Sequence, residues 1–239
     1  MIVAELEVYH SRPIAPTRRV GLGHTHLPVG PGPGLGGVLL AGVVAHAVVH
    51  IGAEDREALF KVCELIGAQM RVNQPSARHR YQDDLIGLTM SKQVLLSDNG
   101  MFSYEFEDDT ASPVQLALGA LYAVERVEPK DRPLVLEAIR YAMVWEGGID
   151  TQFISSVLSE HKLSSEQLDR LGSWSDPVAW AIDKLLIDVP VNQLSKRIVQ
   201  SAFRSLIREA HPDHGGVETL ASERVKDLMD AKDILLAKL

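Results

Sequence analysis

Ile2, Ala4, Leu6 and Val8 alternate with polar or small residues, the period-two pattern of a strand with one buried face. The texture then changes: residues 21–52 hold nine of the 18 glycines, and residues 13–33 hold five of the 12 prolines. The stretch from Val29 to Gly37 reads as a loop that cannot be helix, because proline lacks an amide proton and glycine gains too much freedom on unfolding. It leads into the apolar segment 38–51, whose valines favour a buried strand and whose length favours a buried helix. Residues 54–70 predict a helix, with Ala58, Val62, Leu65, Ile66 and Met70 at helical spacing. Residues 93–106 predict a hairpin, since Asn99 and Gly100 supply positive backbone angles between two apolar runs.

After Pro113 the apolar spacing becomes three to four residues. Helices are predicted over 114–127, 133–145, 151–161 and 165–171, with stops at Glu128-Pro129, Gly147-Gly148 and Gly172. Pro133 at a first helical position and the capping-box-like run Ser164 to Gln167 mark two of these starts. Asp176-Pro177 opens a further helix over 178–186, which 188–191 interrupts. A strongly amphipathic helix follows from about 194 to 210, and a last one from 217 or 219 to 238. The expected fold is therefore a mixed α+β N-terminal region with a hairpin (1–112), a mostly helical middle (113–175) and a C-terminal three-helix domain (176–239) with an antiparallel helix pair. No internal repeat at a fixed period is present.

Composition narrows the classes. At 239 residues and 46% hydrophobic, the chain has the size and apolar content of one large globular domain or two modest ones. The net charge of −8, from 32 acids against 24 bases, excludes a uniformly basic nucleic-acid coat. Cys63 is the single cysteine, so neither an intramolecular disulfide nor a multi-cysteine zinc site is expected, and a reducing compartment fits. The longest apolar run, 38–49, is interrupted by Gly42 and His46 and falls short of the roughly 20 residues that span a bilayer. Residues 1–10 carry Glu5 and Glu7 and no basic flank, unlike a signal peptide. The expectation is a soluble cytoplasmic protein with no nucleic-acid or membrane partner.

The most informative stretch runs from Ala202 to Gly216. Val199, Phe203, Leu206 and Ala210 fall on one face of the predicted helix, with Ala202 beside them, while Lys196, Arg197, Arg204 and Arg208 fall on the other. Residues 195–210 thus carry a net charge of +3 inside an acidic chain. Pro212 ends the helix, and Gly215-Gly216 permits a turn. In the final helix Val225, Leu228, Ala231 and Leu235 form an apolar stripe suited to packing on the helix before it.

This arrangement resembles the J domain of the DnaJ co-chaperone family. That family has a basic second helix reading roughly Ala-Tyr-Arg-x-Leu, a His-Pro-Asp loop, and a third helix with an apolar and alanine stripe. Here these stand as Ala202 to Leu206, His211-Pro212-Asp213, and Val225, Leu228, Ala231 and Leu235. The resemblance covers about 178–239, a quarter of the chain. There are departures: Phe203 replaces tyrosine, Ala210 stands where a large aromatic commonly precedes the tripeptide, and Lys232 where tyrosine usually follows alanine. The usual Leu-Gly-Val exit from the first helix is replaced by the run from Leu185 to Val189. The Gly/Phe linker and zinc repeats of full-length DnaJ are missing.

The resemblance implies a partner, a DnaK-type ATPase chaperone, whose ATP hydrolysis the J domain stimulates while doing no chemistry itself. Lys196, Arg197, Arg204 and Arg208, with Phe203, would meet an acidic surface of that chaperone, and His211, Pro212 and Asp213 would reach the interface between its lobes. The N-terminal region would recruit an unidentified client. Neither catalytic residues nor cofactors are expected on this reading.

Two other readings stay open: an interaction scaffold whose J-like helices do not act on the chaperone, and an N-terminal metal- or ligand-binding enzyme with a J-like adaptor. The candidates for a metal are His24, His26, His46 and His50, of which the last two are four residues apart. No acid or cysteine lies at suitable local spacing, and neutral buried imidazoles bonded to backbone are the preferred reading. The glycine-rich loop lacks a phosphate-loop lysine, and Pro33 removes an amide donor, which argues against nucleotide binding. Arg71, Arg78, His79 and Arg80 beside Tyr81 read as a solvated loop rather than a nucleic-acid contact, because Asp83-Asp84 follows at once.

Overall fold

The computed structural model describes residues 1–30, 32–159, 176–209 and 218–239, the side chains of 218–223 excepted. The chain divides into two compact units, Met1–Leu171 and Gly172–Leu239. The first is a mixed α/β unit built on one sheet.

Strand β1 (Ile2–His10) is the middle of that sheet. Antiparallel β2 (Arg18–His26) and β4 (Thr89–Asp98) flank it. A short β3 (His79–Tyr81) pairs parallel to β2 at one edge, and β5 (Met101–Phe106) pairs antiparallel to β4 at the other. The predicted alternation holds along β1, where Ala4, Leu6 and Val8 are buried, although Ile2 is 45% exposed. The hairpin also forms: Asp98 and Met101 pair across Asn99 and Gly100, whose φ values of 51° and 82° give a turn matching the strand twist.

Residues 38–51 resolve to helix rather than strand. Helix α1 (Gly34–Val48) is buried at every position except Leu35 and His46, because the sheet lies on one side and further helices lie on the others. It starts inside the stretch expected to exclude helix. Gly36 donates its amide proton to the Pro28 carbonyl at 2.8 Å, and a β-carbon there would lie 2.7 Å from the Leu27 carbonyl carbon. The glycines thus admit a close crossing of loop and helix, a tertiary gain that outweighs their poor helix propensity. Tyr104 on β5 donates its hydroxyl to the Val38 carbonyl at 3.0 Å, fixing α1 against the sheet edge.

Helix α2 (Ala53–Gly67) buries Ala58, Leu59, Val62, Cys63 and Ile66. It stops before Met70, which is 59% exposed, after Gln69 turns the chain at φ 58°. Helices α3 (Pro113–Ala123), α4 (Arg132–Met143) and α5 (Thr151–Leu158) complete the described part of the unit. Helix α3 packs on β1, β2, α1 and α2, while α4 packs on α1. Residues 113–158 form helical layers of the first unit, covering the apolar sheet face that Ala4, Leu6 and Val8 present. The expected helix over 165–171 lies outside the described residues.

A capping box opens α3. The Ser112 hydroxyl accepts from the Gln115 amide at 3.3 Å, and Gln115 Oε1 accepts from the Ser112 amide at 3.1 Å. The Gln115 side chain, wholly buried, also donates Nε2 protons to the Ser11 and Arg19 carbonyls, each at 3.0 Å. One amide side chain thus ties the helix start to the β1–β2 connection.

The solvated-loop reading of the Arg71–Tyr81 neighbourhood is also corrected. Residues 79–81 form strand β3, His79 is fully buried, and Tyr81 is 5% exposed. The Arg71 guanidinium lies 4.5 Å from the Tyr81 ring centre and pairs with Asp83 at 3.0 Å and Glu125 at 3.3 Å. The acid that follows in sequence is a partner of the base.

The second unit contains α6 (Pro177–Lys184), α7 (Lys196–Glu209) and α8 (Glu218–Lys238). Asp176 caps α6 by accepting from the Ala179 amide at 2.9 Å, with Pro177 at the first helical position. Helices α6 and α7 both pack on α8 around Ala181, Leu185, Val199, Leu206, Leu228, Ala231 and Leu235. Among the described residues, no helix is long and apolar enough to cross a membrane.

Candidate functional site

Helix α7 has two chemically opposed faces. Val199 and Leu206, seven residues apart, are buried in the core of the unit. Lys196, Arg197, Arg204 and Arg208 are all exposed. Ser195 precedes the helix, its hydroxyl accepting from the Ile198 amide at 3.4 Å. Arg204 and Arg208 each donate Nε to the carbonyl four residues back, Gln200 and Arg204 respectively, both at 3.1 Å. None of the four cations forms an ion pair among the described residues, so the ridge keeps its charge.

Phe203 lies between these faces, partly buried against the core. The Lys232 ammonium of α8 is 4.9 Å from its ring centre, and Lys232 also meets Asp233 at 3.1 Å. A cation over an aromatic face contributes roughly 0.5–1 kcal/mol where partly exposed. A second link joins Lys184 of α6 to Asp227 of α8 at 3.7 Å. His211, Pro212 and Asp213 lie outside the described residues, as does Ala210.

The end of α6 shows a feature that sequence pattern alone does not give. Leu186 has φ 49°, a left-handed backbone that glycine ordinarily supplies after a helix. The Leu186 amide donates to the Asp183 carbonyl and the Ile187 amide to the Ile182 carbonyl, both at 3.0 Å. These are the two bonds of a Schellman turn. They send Leu185 into the core and leave Leu186 73% exposed.

The four histidines considered for a metal are not brought together. His24 and His26 are exposed on β2, and His50 is exposed beyond α1. His46 pairs with Asp108 at 2.7 Å, its ring 4.9 Å from that of Phe106. Among the described residues, no group of three or more His, Cys, Asp or Glu could hold a metal ion. The expectation that these imidazoles are buried and bonded to backbone is corrected as well.

The buried imidazoles are His10 and His79. His10 Nδ1 donates to the Ser11 carbonyl at 3.3 Å, so its Nε2 accepts from the Ser91 hydroxyl at 2.9 Å, which fixes a neutral tautomer. His79 Nδ1 is 3.1 Å from the Ser76 hydroxyl and 3.7 Å from Asp55, while its Nε2 has no hydrogen-bond partner. Burial holds both imidazoles below their ordinary pKa, for His79 against the opposing pull of Asp55. His10 and Ser91 are each 1% exposed, so this pair is closed to any substrate and serves the fold.

Comparison with protein-family models, with curated proteins and with solved structures finds no match.

Proposed function

We propose that the second unit is a J domain that docks on a DnaK-type chaperone and stimulates its ATP hydrolysis, while the first unit recruits the client. The observation that carries this reading is the division of α7: an apolar face closed against α8, and an exposed ridge of Lys196, Arg197, Arg204 and Arg208 without acidic partners. Such a ridge complements an acidic partner surface, raising the encounter rate and fixing orientation.

The turn after α6 adds support. The family's Leu-Gly-Val exit corresponds to Leu185, Leu186 and Ile187, with Leu186 adopting the backbone that glycine would supply. Lys232 replaces a tyrosine, yet it still packs on Phe203. The sequence that follows α7 carries the tripeptide His211-Pro212-Asp213 on which the resemblance turns.

The reading is tested by capturing a DnaK-type chaperone on the full chain, wild type against Asp213→Asn, at low and high salt. Capture is expected for wild type, weakened by salt and lost in the variant. Equal capture by both proteins favours a scaffold that does not use the tripeptide.

A further inference from the structure

The second unit carries another surface, opposite in charge to the α7 ridge. Helix α6 turns Ala181 and Leu185 into the core. Val178, Ile182 and Leu186, at spacings of four, line an open groove of about 530 Å³ together with Val191. Leu186 is 73% and Val191 51% exposed, so the groove floor is apolar and wet. Asp176, Asp183 and Asp188 rim it, with no lysine or arginine in the lining among the described residues. None of these carboxylates forms an ion pair among the described residues.

Leu186 makes the feature more than a chance patch. Its left-handed backbone suits glycine, and a leucine there is strained. Its side chain does not offset that strain by burial. What leucine adds over glycine is apolar area on the groove.

We propose that this groove is a docking site for a short polypeptide segment with an apolar core flanked by lysines or arginines. The floor accepts the apolar side chains, and the three rim carboxylates select basic flanks and repel acidic ones. From Val178 to Leu186 the floor runs about 12 Å at the helical rise, enough for two turns of helix or four extended residues. The occupant differs from the acidic surface that suits the α7 ridge, so the unit can hold two partners at once. The proposal does not rest on the chaperone reading, which is scored by chaperone capture and ATP hydrolysis and not by peptide binding.

The test uses the full chain and a fluorescein-labelled 14-residue peptide (about two contact lengths) with a leucine–valine core and lysine flanks, followed by anisotropy. A second peptide carries glutamates in place of the lysines. Binding of the lysine peptide is expected, weakened at least about tenfold by Leu186→Gly, by Asp183→Lys with Asp188→Lys, and by raised salt. The glutamate peptide is expected to bind at least about tenfold more weakly. Leu186→Gly relieves backbone strain, so it keeps the fold, which circular dichroism checks. No binding by wild type, equal affinity in the Leu186 variant, or equal affinity for both peptides would overturn the proposal. So would self-association of the chain that Leu186→Gly abolishes, since the groove would then belong to a second copy.

Discussion

Leu185 and Leu186 are chain neighbours with opposite fates: Leu185 is 1% exposed in the core of the second unit, while Leu186 is 73% exposed at φ 49°. The Schellman turn imposes this division. A left-handed conformation costs an L-residue about 1–2 kcal/mol relative to glycine. Leu186→Gly is therefore expected to raise the stability of the second unit by about 1 kcal/mol, whereas Leu185→Ala should lower it by roughly 2–5 kcal/mol. Urea denaturation of the two variants checks this, and a loss of stability in the glycine variant would contradict the turn.

Gln115 is expected to be the most sensitive polar position of the first unit. Truncation to alanine strands the Ser112 amide and removes one of two donors from each of the Ser11 and Arg19 carbonyls, which keep His10 Nδ1 and the Ser11 amide respectively. A buried group left unpaired costs about 1–3 kcal/mol, so Gln115→Ala should lose about that much. Gln115→Glu should fare no better, because a carboxylate cannot donate to the two carbonyls. The measurement is the denaturant midpoint of each variant.

Acid should loosen the first unit before its carboxylates titrate. His10 and His79 have folded pKa values depressed by burial below the ordinary 6.5. The unfolded chain thus binds more protons as pH falls through 6.5, and stability declines from there down to the depressed folded values. Thermal midpoints measured between about pH 7.5 and pH 5.5 are expected to fall, with a shallower slope in His79→Gln. A flat profile in the wild type would contradict the burial of these neutral rings.

Cys63 should be silent in the folded protein. Its thiol is wholly buried on α2, and burial pushes its pKa up to about 11. A thiol-reactive probe such as iodoacetamide is expected to label it only under denaturing conditions, since the thiolate is the reactive form. Rapid labelling under native conditions would show that α2 opens.

Legibility in the sequence followed exposure. Strand β1 has one buried face and one half-buried face, so its alternation is visible, and the Asn99-Gly100 turn announces the β4–β5 hairpin. Helix α7 is legible for the same reason, with Val199 and Leu206 inward and its cations outward. Helix α1 is not, because burial on nearly every side removes the polar stripe that separates helix from strand. Strand β3 is three residues long and sits among arginines, below the length at which a period can be read. The change of texture from strand to helix at 112 marks a change of layer within the first unit. The histidine quartet failed because two members lie on a strand and the others on or just beyond a helix, and sequence spacing says nothing of that distance. The candidate surface itself was half legible: its basic residues from helical spacing, the Leu186 turn only from backbone geometry.

The most direct test of the co-chaperone reading is single-turnover ATP hydrolysis by a DnaK-type chaperone, with wild-type chain, His211→Gln or Asp213→Asn. Wild type is expected to accelerate hydrolysis in a salt-sensitive manner, and both variants to leave the rate at its basal value while keeping the wild-type fold. Acceleration by the variants equal to wild type, or none by wild type itself, would contradict it.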